Sequence, residues 1–254
     1  MKKIGLVLGS GGLRGMAHIG VLKVLEEEKI PIAFIVGCSI GSLVGGLYAS
    51  GYSAKRLERM ACRLKRSEWI DIVIPRMGLF AGKKMLTAID KMARQRMLEE
   101  TRVPIYFVAT DLCKGKEVVI QKGNLAEAIR ASTAVPGIFE PFAKDGTLYV
   151  DGALVDPMPV DAARALGADI VVGVDLMHGS NVPVIDNIFD VVLQSIEVVQ
   201  RQLGYEKYKD ADMMICPEVS HISQSDFDKA FECIRIGENA MRARVKELKT
   251  IIES

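Results

Sequence analysis

Residues 34–41 read Phe34-Ile35-Val36-Gly37-Cys38-Ser39-Ile40-Gly41 and place a serine between an apolar run and a stretch with helical spacing. A strand, a sharp turn and a helix in this order form a nucleophile elbow, which exposes the serine hydroxyl at the turn. Gly37 and Gly41, two positions before and after the serine, are small enough for such a turn to close. The alternative is that these glycines only let a helix pack closely on a sheet, and this segment alone leaves both interpretations open.

On both sides of this segment, short β-branched runs alternate with longer stretches of helical spacing. Such alternation is typical of a parallel sheet with helices on both faces, so the sequence predicts an α/β fold. The predicted strands are Ile4–Leu8, Phe34–Gly37, Ile105–Ala109, Val118–Gln121, Ile170–Val174 and Met213–Cys216. The predicted helices are Met16–Glu28, Ile40–Ala49, Ala54–Lys65, Lys83–Glu99, Val160–Leu166, Ile188–Tyr208 and Asp226–Ile252. The apolar positions of the Ile188–Tyr208 helix could pack on the core or on another subunit, which leaves the oligomeric state open, and we expect packing on the core.

The composition is that of a globular protein, because 49% of the 254 residues are hydrophobic and 26% are charged. The formal charge of +1 lacks the basic excess of a protein whose main partner is nucleic acid, so no nucleic acid partner is expected. No repeat or linker divides the chain. We expect one domain over residues 1–254, with the motifs in about 4–175 and a helical part in about 186–254.

The cysteines and the apolar segments bear on the cellular compartment. Five cysteines at wide spacings fit neither a disulfide framework nor a paired Cys-x-x-Cys zinc site, which favours a reducing cytoplasm. The first residues lack the apolar core of a signal peptide, so no cleaved leader is expected. Residues 30–54 carry no charge, but a proline and five glycines predict a buried strand, turn and helix rather than a membrane span.

Residues 55–96 are strongly basic, with twelve Lys and Arg against four Asp and Glu. An apolar segment with turn residues, 69–82, lies within this region. The pattern fits a face that contacts anionic lipid, in which 69–82 would contact the interface or an acyl chain, or form a lid. The alternative is a pair of ordinary amphipathic helices whose Lys and Arg point to water. We hypothesise a cytoplasmic protein with peripheral contact to an anionic membrane.

A second motif, Gly9-Ser10-Gly11-Gly12-Leu13-Arg14-Gly15, follows the first predicted strand and precedes a helix. Such a loop presents several backbone N–H groups to an anion, either a phosphate in a dinucleotide-binding fold or the oxyanion of an acyl-transfer intermediate. A dinucleotide site also requires an acidic residue at the end of the second strand, which here ends in Gly37-Cys38-Ser39. We therefore interpret the loop as an oxyanion hole for a nucleophile one strand away.

A serine nucleophile requires a base, and the candidates are three histidines and one aspartate. His18 lies on the helix after the glycine loop, where packing or capping is the simpler role. His178 and His221 lie in loop-like surroundings, and either could complete a Ser-Asp-His triad. Asp151 ends a short apolar strand and precedes Gly152-Ala153, a sequence typical of a turn that leaves the carboxylate free. The residues alone leave the triad and a Ser-Asp pair open.

Together these motifs resemble those of the bacterial patatin-like phospholipases. The resemblance runs from Ile4 to about Asp175. The motifs that carry it are the glycine loop with Arg14, the elbow, Arg130-Ala131-Ser132-Thr133-Ala134-Val135-Pro136-Gly137, and Asp151-Gly152-Ala153. The family implies a three-layer α/β/α sandwich with a mostly parallel central sheet and a catalytic dyad of serine and aspartate without histidine.

By this resemblance Ser39 is the nucleophile and Asp151 is the base. The residues that the resemblance assigns to the oxyanion hole are Gly11, Gly12 and Arg14. Two positions depart from the family pattern, since Ser10 stands where many members have glycine and Ala153 stands where the form Asp-Gly-Gly is commoner. Both replacements are small, and neither removes a proposed catalytic atom.

The resemblance further implies a serine hydrolase that acts on carboxylic esters of lipids, such as a phospholipase or lysophospholipase, through an acyl-enzyme. Its partner would be a lipid or another acyl-ester substrate. Two alternatives stay open, an acyltransferase with the same dyad and a non-catalytic lipid-binding protein. No cofactor is implied, and no metal site is expected because the carboxylates and histidines do not cluster at ligand spacing. We predict that Ser39→Ala and Asp151→Asn abolish ester hydrolysis, whereas His178→Ala and His221→Ala retain it.

Overall fold

The structure, a computed structural model, describes residues 2–63, 71, 76–179, 185–224 and 226–254. The strands in these residues are β1 (Ile4–Leu8), β2 (Phe34–Cys38), β3 (Gly78–Phe80), β4 (Ile105–Asp111), β5 (Lys116–Ile120), β6 (Gly137–Phe139), β7 (Phe142–Lys144), β8 (Thr147–Asp151), β9 (Ile170–Val174) and β10 (Met213–Ile215). The helices are α1 (Met16–Glu27), α2 (Ile40–Ala49), α3 (Ala54–Ala61), α4 (Lys83–Ala93), α5 (Leu125–Ser132), α6 (Val160–Ala165), α7 (Ile188–Glu206) and α8 (Ala230–Glu253).

The main sheet has the strand order β10-β9-β1-β2-β4-β8-β7, and β5 also pairs with β4. The first five strands of this order run parallel, whereas β5, β7 and β8 run antiparallel to their neighbours. Every residue of β1, β2 and β9 is buried, as expected for parallel strands that are covered on both faces. The predicted α/β fold with a mostly parallel central sheet is confirmed.

The side chains of the central strands alternate between two cores, one on each face of the sheet. In β1, Leu6 and Leu8 belong to a large core that includes residues of α1, α2, α5 and α8. Val7, which lies between them in sequence, belongs to a smaller core that includes residues of α6. Helices therefore cover both faces, in three layers.

Strand β4 brings the ends of two other strands together. On one edge, β2 pairs with the first half of β4 and β8 pairs with its second half, while β5 occupies the opposite edge. Since β2 runs parallel and β8 antiparallel to β4, both end at the same point. Cys38, the last residue of β2, pairs with Val108, and Asp151, the last residue of β8, pairs with Ala109. Ser39 follows Cys38, so the strand register itself places Ser39 beside Asp151.

Several predicted elements differ from the observed ones. The helix predicted over Lys83–Glu99 ends at Ala93, because Arg94 and Gln95 both adopt positive φ, which stops a helix. Helix α5 and the three-residue strands β3, β6 and β7 are absent from the sequence prediction, since such short elements have little periodicity to detect. The charge-free stretch 30–54 contains the buried β2 and α2. No helix in the described part of the chain is long and apolar enough to cross a membrane.

Helix α7 does not pack on the core as the sequence predicts. Its contacts are chiefly with two short 3-10 turns, Gly152–Leu154 and Tyr208–Asp210. Several of its apolar side chains are between 45% and 68% exposed, among them Ile188, Val191, Val192 and Val199. The expectation of core packing was therefore wrong for these four positions, whereas Ile196 and Leu203 are half-buried.

The basic region is described only in part. Exposed basic residues of α3 and α4 include Lys55, Arg56, Arg59, Lys83, Lys84 and Lys91. Asp71 accepts the backbone N–H groups of Gly82, Lys83 and Lys84 and so caps the start of α4. Residues 64–70 and 72–75 lie outside the described residues, and with them much of 69–82, so the lid stays a prediction.

Candidate active site

The turn between β2 and α2 holds Ser39 in a strained conformation. Its φ of 54° and ψ of −122° lie in a region that costs a non-glycine residue on the order of 1–3 kcal/mol. The turn can close because its flanking glycines lack side chains. A Cβ on Gly41 would lie 2.0 Å from the carbonyl oxygen of Leu8, and one on Gly37 would lie 2.7 Å from the Cα of Ser42. The segment thus has the geometry that a nucleophile elbow requires.

The hydroxyl of Ser39 donates a hydrogen bond to Asp151, with 2.5 Å between Ser39 Oγ and Asp151 Oδ2. The other carboxylate oxygen, Oδ1, accepts the backbone N–H of Ala153 at 2.9 Å, which fixes the orientation of the carboxylate. Ser39 is 6% exposed and Asp151 is 2% exposed. The structure therefore brings the two residues into direct contact, with little access for water.

Burial also changes the acidity of Asp151. Removal of the carboxylate from water raises its pKa to about 6, although the hydrogen bonds from Ser39 and Ala153 act in the opposite direction. An ordinary aspartate has a pKa of about 3.9 and accepts a proton poorly at neutral pH. The higher pKa makes Asp151 a better base while leaving most of it ionised at pH 7.

Ser132, at the end of α5, fixes the backbone of the elbow. Its Oγ accepts the N–H of Ser39 at 3.0 Å and donates to the carbonyl oxygen of Val108 at 2.6 Å. The hydroxyl of Ser42 is also 2.7 Å from it. Ser132 is fully buried, so these bonds connect α2, α5 and β4 beneath the nucleophile. The sequence analysis assigned no role to Ser132, although this residue lies inside the segment 130–137 that carries the resemblance.

The glycine loop packs against the elbow at both of its ends. A Cβ on Gly41 would lie 2.9 Å from the carbonyl oxygen of Gly9, and a Cβ on Gly15 would lie 2.1 Å from Cγ1 of Ile40. Ile40 and Gly41 are the two residues after Ser39. The loop therefore runs directly beside the nucleophile, as the interpretation of an oxyanion hole requires.

The backbone donors of the loop divide into two groups. The N–H groups of Gly9, Ser10 and Leu13 donate to the carbonyl oxygens of Val174, Pro157 and Gln224. Gly11 and Gly12, at φ 154° and 58°, open a 3-10 turn, where the first N–H groups have no acceptor within the turn. These two N–H groups are the candidates to stabilise an oxyanion.

Arg14 lies in the same loop, but its guanidinium is directed to the C-terminal part of the chain. Nε donates to the carbonyl oxygen of Ile222 at 2.6 Å, Nη2 to that of Ser220 at 3.3 Å, and Nη1 to Glu197 at 3.2 Å. The side chain is 3% exposed. Since all three nitrogens are engaged in this way, Arg14 anchors the loop rather than supplying side-chain donors to its open end.

None of the three histidines lies between the serine and the aspartate, which bond directly. His18 is fully buried beneath the glycine loop, with Nε2 at 2.9 Å from the carbonyl oxygen of Gly9, and burial lowers its pKa to about 4. His178 contacts the hydroxyl of Tyr208 and His221 contacts Glu232, both at exposed positions. The geometry thus favours a Ser-Asp pair over a triad.

Potential metal ligands lie elsewhere in the described residues. Asp175, His178 and Cys216 are close enough together to share an ion, and they include neither Ser39 nor Asp151. The sequence analysis did not identify this group, because its members come together only in the folded chain.

A family model described as patatin-like phospholipase matches residues 6–164. An uncharacterized NTE family protein of Mycobacterium tuberculosis is 39% identical over 181 residues, which cover 68% of this chain and 49% of that protein. Patatin-like phospholipase domain-containing protein 6 of Homo sapiens is 36% identical over 181 residues, 68% of this chain and 13% of that protein. Lysophospholipase NTE1 of Pyricularia oryzae is 34% identical over 186 residues, 69% of this chain and 12% of that protein. The chain therefore spans half or less of the length of these relatives.

Two solved structures have a similar fold. VipD from Legionella pneumophila matches with a TM-score of 0.57 and 14% identity, over 97% of this chain and 67% of that chain. The type III effector protein ExoU matches with a TM-score of 0.52 and 13% identity, over 98% of this chain and 53% of that chain. At these identities the likeness supports the fold alone.

Proposed function

This chain belongs to the patatin-like phospholipase family, and we propose that it hydrolyses carboxylic esters of lipids with a dyad of Ser39 and Asp151. The observation that carries the proposal is the 2.5 Å contact between Ser39 Oγ and Asp151 Oδ2 in a buried site. The strained turn at Ser39 supports it, because the turn holds the hydroxyl in a fixed position for attack.

In the acylation step, the carboxylate of Asp151 takes the hydroxyl proton as Ser39 Oγ attacks the ester carbonyl carbon. The carbonyl oxygen gains negative charge in the tetrahedral intermediate, and the N–H groups of Gly11 and Gly12 stabilise it. When the intermediate collapses, the bond to the leaving alcohol breaks and the protonated Asp151 gives its proton to that alcohol. The acyl group then remains on Ser39 as an ester.

Deacylation repeats these steps with water as the nucleophile. Asp151, again ionised, takes a proton from a water molecule that attacks the acyl carbon, and the same N–H groups stabilise the second intermediate. Its collapse returns a proton to Ser39 and releases a carboxylic acid. One base therefore serves both half-reactions, and no histidine is needed.

An apolar cavity against α7 suits the acyl chain of such a substrate. It has a volume of about 250 Å³ and lies between α7 and the 3-10 turn that follows Asp151. Its lining residues are Leu154, Ser195, Ile196, Val199 and Gln200. We assign the acyl chain to this cavity because burial of apolar surface favours binding and because Leu154, which lines it, lies three residues after Asp151 in the sequence.

Labelling with a fluorophosphonate probe tests the assignment of the nucleophile. We expect the wild-type protein to be labelled and Ser39→Ala to be unlabelled, with loss of hydrolysis of a lysophospholipid and of a short-chain ester. Ser50→Ala is the matched control, because this serine lies at the other end of α2 and its hydroxyl donates to the carbonyl oxygen of Leu47. Equal labelling of wild type and Ser39→Ala would contradict the proposal.

The same acyl-enzyme could pass its acyl group to an alcohol instead of water, because both nucleophiles attack the same carbon. Product analysis with a labelled lysophospholipid separates the two activities: a hydrolase releases free fatty acid, whereas an acyltransferase forms a new ester in the presence of an acceptor lipid. A lipid-binding protein without catalysis would give neither product and no labelling of Ser39.

A further inference from the structure

Metal-ligating side chains from three places in the sequence meet at the edge of the sheet formed by β9 and β10. Asp175 directly follows β9, His178 lies in the turn after it, and Cys216 directly follows β10. Because β9 and β10 are parallel neighbours, the residues after each strand lie at the same edge. One carboxylate oxygen, one ring nitrogen and the thiol sulfur all lie within 4.8 Å of one another.

The hydroxyl of Tyr208 lies among these three groups. It donates to Asp175 Oδ2 and lies 3.3 Å from His178 Nδ1 and 3.4 Å from Cys216 Sγ. In a tetrahedral zinc site with bonds of about 2.0–2.3 Å, neighbouring ligand atoms are separated by roughly 3.3–3.7 Å. The distances from the Tyr208 oxygen to the nitrogen and the sulfur fall in this range. Its hydrogen bond to Asp175 Oδ2 is shorter, so a bound metal would replace that hydrogen bond.

The cluster also contains a buried carboxylate, whose negative charge a bound cation would balance. Asp175 is 6% exposed, and its carboxylate accepts the N–H of Met177 and the hydroxyl of Tyr208. No Lys or Arg in the described residues forms a salt bridge with it, and a buried carboxylate without a cation is costly.

We propose that Asp175, His178 and Cys216 form a binding site for a divalent transition metal of the zinc type, with the Tyr208 oxygen in the fourth position. The mixture of oxygen, nitrogen and sulfur ligands suits Zn²⁺, whereas Mg²⁺ and Ca²⁺ are bound by oxygen alone. Binding releases the thiol proton of Cys216 to solvent, and the resulting thiolate bonds to the metal.

The site would act on the glycine loop through Leu176. This residue follows Asp175, and its Cβ lies 2.8 Å from the position that a Cβ on Gly11 would occupy. A metal bound to Asp175 therefore restrains the side chain that packs against Gly11, one of the two candidate oxyanion donors. We expect metal binding to stabilise the fold, and this expectation is independent of the proposed hydrolase activity.

Titration with Co²⁺ tests the site in the full chain, after treatment with a chelator and in the presence of a reductant that does not bind metal. We expect saturable binding of one Co²⁺ per chain with the near-ultraviolet absorption of a thiolate-to-cobalt transition. Cys216→Ser should abolish this absorption, and His178→Ala should weaken binding at least about tenfold, since even the loss of a group that only supports a ligand costs roughly 10–100-fold. Zn²⁺ should raise the Tm of the wild type and not that of Cys216→Ser.

Matched controls are Cys113→Ser, an exposed cysteine in the turn between β4 and β5, and His221→Ala, an exposed histidine that contacts Glu232. Both should keep the wild-type titration. Cys216 and His178 are only partly buried or exposed, so their variants are expected to fold, which circular dichroism checks. Binding in Cys216→Ser with the wild-type spectrum, or no saturable binding in the wild type, would overturn the proposal and leave the cluster as a hydrogen-bond network.

Discussion

The buried carboxylate of Asp151, the proposed base, destabilises the fold when it is ionised. Its pKa is about 6 in the folded chain, against about 3.9 in an unfolded one, and each unit corresponds to about 1.36 kcal/mol. Because the folded pKa is raised, the stability contribution of this group is fully present below about pH 4 and is lost as the pH rises through about 6. The ionised base therefore destabilises the fold by roughly 3 kcal/mol at pH 8.

Asp151→Asn should remove this cost, because an amide keeps the shape of the side chain and carries no charge. We expect the variant to be inactive but more stable than the wild type by roughly 3 kcal/mol at pH 8, with the difference narrowing as the pH falls towards 4. Urea unfolding at several pH values measures it. Asp228→Asn, at an exposed position, is the control and should show no such trend. A wild type more stable than Asp151→Asn at pH 8 would contradict the assigned burial cost.

The same pKa predicts the pH dependence of catalysis. The base is active when ionised, so kcat/KM for a soluble ester should rise as the pH increases through about 6 and level off above about 7. His178→Ala and His221→Ala should keep this profile. If the inflection disappeared in either histidine variant, with folding intact, a triad would replace the dyad as the explanation.

Replacing Ser132 tests whether its hydrogen bonds are needed to hold Ser39 in position. Ser132→Ala removes the acceptor for the N–H of Ser39 and the donor to the carbonyl oxygen of Val108, so each of these backbone groups loses a hydrogen bond. We expect kcat to fall about tenfold or more with little change in KM, because the nucleophile moves while the substrate cavity does not. Stability should fall by roughly 1–3 kcal/mol. An unchanged kcat would show that the strained turn holds Ser39 without Ser132.

At the scale of elements, the sequence predicts the features that depend on the spacing of residues close together in the chain. The elbow and the glycine loop each consist of consecutive residues, so their residue types indicate the turn directly. The meeting of Ser39 with Asp151 is different, because it depends on β2 and β8 sharing one edge of β4 in opposite directions. The pairing of β2 and β8 with β4 cannot be recognised from the residues of any one segment, so the family resemblance was needed to pair Ser39 with Asp151. The acceptors of Arg14 lie more than 180 residues away and could not be predicted either.

Two glycine substitutions, one at the contact between α2 and β1 and one on α7 as its control, test how closely α2 packs on β1. Gly41→Ala would place a Cβ 2.0 Å from the carbonyl oxygen of Leu8, a backbone atom that cannot move away cheaply, so we expect loss of folding or of several kcal/mol of stability. Gly204→Ala, on α7, meets nothing closer than 3.8 Å and should be stabilising by up to about 1 kcal/mol. Chemical denaturation compares them. Equal stability of the two variants would mean that α2 can move away from β1.

The cavity beside α7 gives a prediction on substrate length. Val199→Trp should fill the space and lower activity on long-chain lysophospholipids at least about tenfold while sparing short-chain esters, since overfilling an apolar site excludes the longer chain. Val198→Trp is the control, because Val198 is exposed and does not line the cavity. Equal loss on long and short esters in Val199→Trp would place the acyl chain elsewhere.

At the scale of the whole molecule, the candidate site is completed by residues beyond the matched range 6–164. The N–H of Leu13 donates to the carbonyl oxygen of Gln224, and Arg14 bonds to Ile222 and Glu197. The C-terminal part of the chain therefore sets the position of the glycine loop. This explains physically why the motifs, which all lie between Gly9 and Ala153, leave the loop geometry undetermined.

The charge distribution leads to the last prediction, on membrane contact. The exposed Lys and Arg of α3 and α4 would attract anionic lipid by about 1 kcal/mol per residue near the surface. We expect stronger binding to vesicles that contain phosphatidylserine than to phosphatidylcholine vesicles, and weaker binding at high salt. The double variant Lys83→Glu/Lys84→Glu should reduce binding to the phosphatidylserine vesicles. The control double variant Lys122→Glu/Lys246→Glu changes the net charge by the same amount and should not reduce this binding. Equal binding to both vesicle types, or equal loss in both double variants, would mean that these helices simply face water.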